Sequence, residues 1–383
     1  MKLYRRTIFN FLLSILFLSV ANVFGQNQKL VRILPAQRDS SLNWYDARDL
    51  GIFGKGWNEP QRDFERLPAK AESTVLEQVW QLSHHTSGLN IQFVTNASEI
   101  HARWTLSNNN LAMPHMPATG VSGLDLYVKS ENGLWRWLGI GKPSSIPTNT
   151  SKLTGDLIPA VRTFMLYLPL YNGVNSAEIG LSKEASLWKI IKEDSTSKKP
   201  LVFYGTSITQ GGCASRPGMS AAAILGRRLN VPIINLGFSG SGKMEPELAT
   251  LLGELDPELY IIDCLPNMTL IHIEQRVEPF IDILREARPE TPILLVEGRE
   301  FQNSYLIPFL DQQIKQKRAA LRKAYENLMG KGTKDLHYLY GFNQLGSDCE
   351  STVDGSHPTD LGFMRQADFF EPVIRSILSL ENN

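Results

Sequence analysis

From residue 200 onward the sequence alternates apolar, strand-like runs with helical stretches, and this alternation constrains the fold more than any other feature. The runs PLVFYG (200–205), VPIINLGF (231–238), ELYIIDCL (258–265), TPILLVEG (291–298) and LHYLYG (336–341) read as buried strands. MSAAAILGRRL (219–229), PELATLLGEL (246–255), VEPFIDILREAR (277–288), a long stretch within 307–330 and a segment near 360–380 read as helices. Repeated β–α units predict a parallel sheet with helices on both faces. Ligands of such sheets sit at the carboxyl ends of the strands. The loops after residues 205, 238, 265 and 298 are therefore expected on one face.

Residues 26–183 have a different pattern. LNIQFVT (89–95), EIHARWTL (99–106), GLDLYVK (123–129), LWRWLGIG (134–141), TFMLYLPLY (163–171) and AEIGLS (177–182) are short, β-branched or aromatic runs broken by turn signals. Strands at this spacing without helical patterns between them predict a β-sandwich. All seven tryptophans lie in this half or at its exit. They are expected in the sandwich core and at the join between halves, with sugar stacking as the rival role. The polar, lysine-rich stretch from 184 to 199 is the expected linker, with the α/β part spanning 200–383.

Residues 1–25 read as a Sec-type signal peptide. Lys2, Arg5 and Arg6 precede an apolar run over 8–20, and Val23 and Gly25 are small residues before a cut at Gln26. Export to the periplasm or outside the cell is the expectation, with no membrane span after cleavage. The full chain has 39 basic and 39 acidic residues; cleavage removes three cations, leaving 36 against 39, a net charge of −3. That balance disfavours a nucleic-acid or anionic-membrane partner.

Four loops carry a consistent chemistry. GTSITQGGC (205–213) places Ser207 where a strand breaks into a turn; alone, such a Ser is better explained as a helix cap. INLGFSGSG (234–242) offers backbone N–H groups around Gly240, and its G-x-x-G-x-G spacing is not that of a dinucleotide loop. DCLPNM (263–268) offers the Asn267 amide, and DGSHPTDLGF (354–363) places Asp354 three residues before His357. A serine nucleophile needs a base, the base needs an orienting group, and the oxyanion needs fixed donors. These loops supply all of them in the order Ser…Asp-x-x-His.

The four blocks resemble those of the SGNH, or GDSL-type, hydrolases. Ser207 in GTSIT, Gly240 in NLGFSG, Asn267 in CLPN and the Asp354/His357 pair match them block by block over about residues 200–365. The first block has GTSI in place of GDSL, and the third has L-P-N in place of G-x-N-D. GLDLY (123–127) is similar to the G-x-D-L-Y segment of a β-domain preceding some bacterial SGNH esterases. The resemblance implies a β-sandwich followed by a flavodoxin-like three-layer α/β/α domain. It also implies a triad of Ser207, His357 and Asp354, with an oxyanion hole of the Ser207 and Gly240 N–H groups and the Asn267 side chain. No metal or other cofactor is required.

The substrate expected from export, the β-domain and likeness to carbohydrate-active esterases is a short acyl, chiefly acetyl, ester on a glycan or small molecule. Arg216 and Arg299, on loops of the ligand face, are candidate contacts to sugar hydroxyls or a carboxylate, or else ordinary surface arginines. Cys213 and Cys349 lie close in sequence to the Ser and His blocks, so a bridge between them is expected if the blocks meet. The alternative is three free thiols, counting Cys264. Rival functions are a non-catalytic glycan-binding protein, a lipase- or thioesterase-like hydrolase with another acyl group, and a metal-dependent phosphoesterase. The last would need clustered Asp/His ligands, and His84, His85 and His272 lie outside any such motif.

Overall fold

The computed structural model describes residues 29–59, 62–191 and 198–380. The signal-peptide stretch lies outside them.

The first half forms two antiparallel sheets. One runs Lys29–Ile33, Leu187–Ile191, Asn90–Thr95, Arg162–Tyr167, Leu124–Lys129, Trp135–Gly141, with Ile52–Phe53 added beside Asn90–Thr95. The other runs Gln37–Arg38, Leu42–Asp46, Val174–Ser182, Ile100–Leu106, Thr148–Thr154. Side chains on a strand alternate between faces. In Ile100–Leu106 this alternation buries Ile100, Ala102, Trp104 and Leu106. They pack with Phe93, Phe164 and Leu126 of the opposite sheet in one apolar core. Trp44, Trp80 and Trp104 are buried, whereas Trp137 is half exposed.

The expected linker is corrected in part. Leu187–Ile191, inside the 184–199 stretch, is a strand that pairs with both Lys29–Ile33 and Asn90–Thr95. Leu187 and Ile190 are buried, while Lys189 between them stays partly exposed.

The second half holds one parallel sheet. Its order is Ile233–Gly237, Leu201–Gly205, Leu259–Asp263, Ile293–Val296, Leu336–Leu339. Numbered in chain order this is 2-1-3-4-5, the flavodoxin-like arrangement. Helices Pro246–Gly253, Leu270–Ala287 and Pro308–Gly330 bury apolar residues against one side of the sheet. Helices Ala221–Leu229 and Asp360–Ile377 cover the other. Successive strand-ends Gly237, Gly205 and Asp263 are in register. Chain reversal after each of them therefore delivers three loops to one edge, where the site is assembled. No helix among the described residues is long and apolar enough to cross a membrane.

Candidate active site

Strand Leu201–Gly205 ends and the chain turns at once into the short helix Ser207–Gln210, capped by the Thr206 hydroxyl, which accepts the Ile208 N–H at 3.2 Å. This abrupt turn holds Ser207 at the sheet edge with only 8% of its surface exposed. Its carbonyl accepts the N–H groups of Gly211 (3.0 Å) and Gly212 (2.7 Å) and the Tyr171 hydroxyl (3.0 Å). Tyr171 comes from the first half of the chain, so the Ser207 backbone is braced from across the join. Burial holds the Tyr171 phenol far above its ordinary range, so it stays a donor.

His357 reaches the same point from the other end of the sequence. Its Nε2 lies 2.9 Å from Ser207 Oγ, and its Nδ1 lies 2.7 Å from Asp354 Oδ2. Asp354 Oδ1 accepts the backbone N–H groups of Ser356 (3.0 Å) and His357 (2.8 Å). Partial burial pushes the Asp354 carboxyl up, but these donors and the imidazole outweigh it and hold the group below its ordinary value. A carboxylate on Nδ1 places the proton there and leaves Nε2 as an acceptor facing the serine. The turn is itself anchored. Gly355 at φ +90° adopts a conformation that L side chains rarely take, and its carbonyl accepts the Gln302 N–H at 2.8 Å.

In the loop after Ile233–Gly237, Gly240 adopts φ +69°. Close approach is set elsewhere in it: a Cβ on Gly242 would sit 2.0 Å from the Gly205 carbonyl oxygen. Asn267 ends the single 3₁₀ turn Leu265–Asn267, and its Nδ2 is 3.5 Å from the Phe238 carbonyl on the Gly240 loop. Ser207, Gly240, Asn267 and the Asp354/His357 pair thus all lie in segments that follow the carboxyl ends of strands of the one parallel sheet. A hydroxyl, an imidazole and a carboxylate in hydrogen-bonded series, with amide donors on adjacent loops, can carry out acyl transfer.

The other expected contacts are corrected. Arg216 is not free for substrate: its Nη1 donates to Asp125 Oδ2 at 2.7 Å and to the Tyr127 hydroxyl, and its guanidinium lies 5.3 Å from the Trp137 ring. Arg299 is buried against Asp263, Nη2 to Oδ2 at 2.7 Å. Both positions follow one rule: a charge removed from water takes a counter-charge. Cys213 and Cys349 are not bridged, and all three cysteines are free. Cys213 is buried beside Asp354, and burial together with that charge pushes its thiol up to about 12. Cys349 is exposed. Among the described residues no cluster of His, Cys, Asp or Glu is arranged to hold a metal ion.

Sequence reasoning missed the contribution of the first half. Tyr171 carries no motif, and GLDLY was legible only as a resemblance. Its Asp125 and Tyr127 turn out to hold the loop that follows the Ser207 helix. The same loop is tied to the histidine block, because Asp360 accepts the Ser215 N–H at 2.9 Å.

Comparison with known proteins agrees with this architecture. The GDSL-like lipase/acylhydrolase family matches residues 198–375, and the N-terminal GxDLY region of SGNH-type esterases matches residues 42–187. A protein of Bacteroides ovatus ATCC 8483, described as a GDSL-like lipase, superposes with TM-score 0.83 at 35% identity, covering 89% of this chain and 99% of its own. A salicylyl-acyltransferase from a tetracycline biosynthetic pathway shares the fold at TM-score 0.68 and 21% identity, covering 92% and 99%. So does a family two carbohydrate esterase from Clostridium thermocellum, solved with cellohexaose, at 0.55 and 15%, covering 77% and 94%. A search of curated proteins gives no match. The chain belongs to the GDSL-like lipase/acylhydrolase family and is an ester hydrolase of the SGNH type with a GxDLY amino-terminal region.

Proposed function

We propose that the protein is an exported serine esterase that removes short acyl groups, acetyl above all, from carbohydrate. One observation carries the mechanism: the continuous series Ser207 Oγ, His357 Nε2, His357 Nδ1, Asp354 Oδ2, with its links of 2.9 and 2.7 Å. Ser207 attacks the ester carbonyl while His357 takes its proton. The N–H groups of Ser207 and Gly240 and the Asn267 amide hold the oxyanion. The imidazolium, steadied by Asp354, then protonates the departing alcohol. Water enters, gives its proton to His357, and attacks the acyl-serine; the carboxylic acid leaves and the serine is restored. All of this uses side chains and backbone of this chain.

The carbohydrate assignment is supported by the fold shared with carbohydrate esterases, one of them solved with cellohexaose. Export is supported by the composition of residues 1–25. The arrangement proposed for the chain is a signal peptide at 1–25, a β-sandwich ending near residue 191 and a hydrolase domain from about residue 198.

A second reading, a longer acyl chain, is favoured by a specific surface. Tyr305, Leu306 and Phe309 are exposed on the segment that begins beside the Asp354 turn. An apolar rim of this kind suits an alkyl chain. The test is an ester panel, from p-nitrophenyl acetate to octanoate plus acetylated xylan, run on wild-type and Ser207→Ala protein. Acetate preference and acetyl release from xylan, both abolished in the variant, are expected. Turnover retained in Ser207→Ala would refute the mechanism, and octanoate preference would favour the second reading.

A further inference from the structure

Two exposed side chains of the first half, His115 and Gln78, lie against His357 and Gly240, and the mechanism above uses neither. The His115 ring centroid is 6.0 Å from that of His357, with the planes 47° apart. Gln78 Nε2 lies 4.0 Å from where a Cβ on Gly240 would be.

The structure holds His115 in place on a built support. Met113 and Met116 exchange both backbone hydrogen bonds at 3.0 Å, closing a two-residue turn with Pro114 and His115 at its tip. Proline fixes its own φ, which stiffens the turn. Met116 is buried in the core shared by Ile208, next to Ser207, and Phe363 of the C-terminal helix. The following turn is pinned to the catalytic side too, as Thr119 Oγ1 donates to the Ser215 carbonyl at 2.6 Å. The tip is thereby fixed to the half of the chain that carries His357. His115 makes no hydrogen bond or ion pair among the described residues; its ring lies against that of His357.

We propose that His115 is a specificity residue of the ester site, recognising a hydroxyl of the departing alcohol. The proposal rests on the esterase reading above. On that reading the alcohol oxygen accepts its proton from His357 Nε2, so the alcohol must lie within hydrogen-bond reach of that ring. A second imidazole 6.0 Å away, tilted and not stacked, borders the volume the alcohol occupies. Imidazole offers one donor and one acceptor, which suits a hydroxyl neighbouring the ester oxygen, as a sugar provides, and offers little to an aryl group without hydroxyls. The β-half would then select the alcohol, while the α/β half carries out the acyl chemistry.

The experiment compares full-length wild-type, His115→Ala and His115→Gln protein on acetylated xylo-oligosaccharide and on p-nitrophenyl acetate. The readout is the ratio of kcat/KM on the two esters. In His115→Ala this ratio is expected to fall about 2- to 12-fold, the range one neutral hydrogen bond contributes, mainly through KM on the glycan ester. His115→Gln, whose amide also donates and accepts, is expected to recover part of it. An unchanged ratio in both variants, or equal losses on both esters as for a mere prop of His357, would overturn the proposal and leave the esterase reading intact. Wild-type turnover of p-nitrophenyl acetate with none of the glycan ester would instead overturn the carbohydrate reading, and this role with it.

Discussion

Replacing Asp125 by Ala should weaken the join between the two halves. The carboxylate is fully buried. Its Oδ2 accepts from Arg216 Nη1 (2.7 Å) and the Gly218 N–H (2.8 Å), and its Oδ1 accepts from Trp137 Nε1 (2.9 Å). Burial pushes this carboxyl up, and Arg216 pulls it back. Removing one partner of a buried ion pair costs about 3–5 kcal/mol, because the other charge is left unpaired. The Arg216 side chain keeps 20% exposure, so part of its charge can be rehydrated. The lower end, about 3 kcal/mol, is therefore expected. With a urea m-value of at least about 3 kcal/mol/M, since m grows with chain size, the urea midpoint falls by up to roughly 1 M. Tryptophan fluorescence suits the assay, since Trp137 is itself bonded to Asp125. Asp125→Asn keeps the shape without the charge and should lie between wild type and Ala. In a double-mutant cycle with Arg216→Ala the losses should be clearly less than additive. A loss below about 1 kcal/mol, the size of one ordinary hydrogen bond, or strict additivity, would refute the reasoning.

Asp354→Asn should lower kcat by up to about 10⁴-fold, because the amide does not hold the imidazole in the required tautomer; a loss below tenfold would indicate a Ser–His dyad. Because the Asp354 carboxyl is held below its ordinary 3.8, its contribution to stability is present above that pH and is lost only as pH falls through its folded value. His85 is pushed down to about 3, first by burial and then by the Arg66 and His84 charges. From its ordinary 6.5 down to about 3 the unfolded chain binds a proton there that the folded one does not. Stability therefore falls with pH across that window, by up to about 1.4 kcal/mol per unit for this group. His85→Gln should flatten the pH dependence of the unfolding midpoint between pH 4 and 6, and an unchanged slope would show that His85 does not titrate in this way.

Much of the second half was legible because its signals are local. Five apolar runs separated by helical periodicity specify strand, helix and direction without knowledge of contacts. Ser207, Gly240, Asn267, Asp354 and His357 are recognisable because each sits in a short block directly after a strand or before a helix. In the first half, alternation marked six strands, while Leu187–Ile191 was hidden by its lysine-rich surroundings, whose character depends on a partner strand far away in sequence.

The sequence by itself determined the class of fold, the order of the four family blocks and the charge balance, since all three depend on residue type and spacing along the chain. Only the tertiary structure decided which side chains are spoken for. Arg216 and Arg299 look alike on paper as exposed ligand contacts, yet each lies against a carboxylate 91 and 36 residues away. Cys213 and Cys349 lie close in sequence to Ser207 and to the Asp354/His357 pair, and they remain unbridged. His115, which has no motif, stands next to His357 because Met116 is buried in a core built from both halves. Desolvation and pairing act between residues that are close in space, and a sequence records closeness only along the chain.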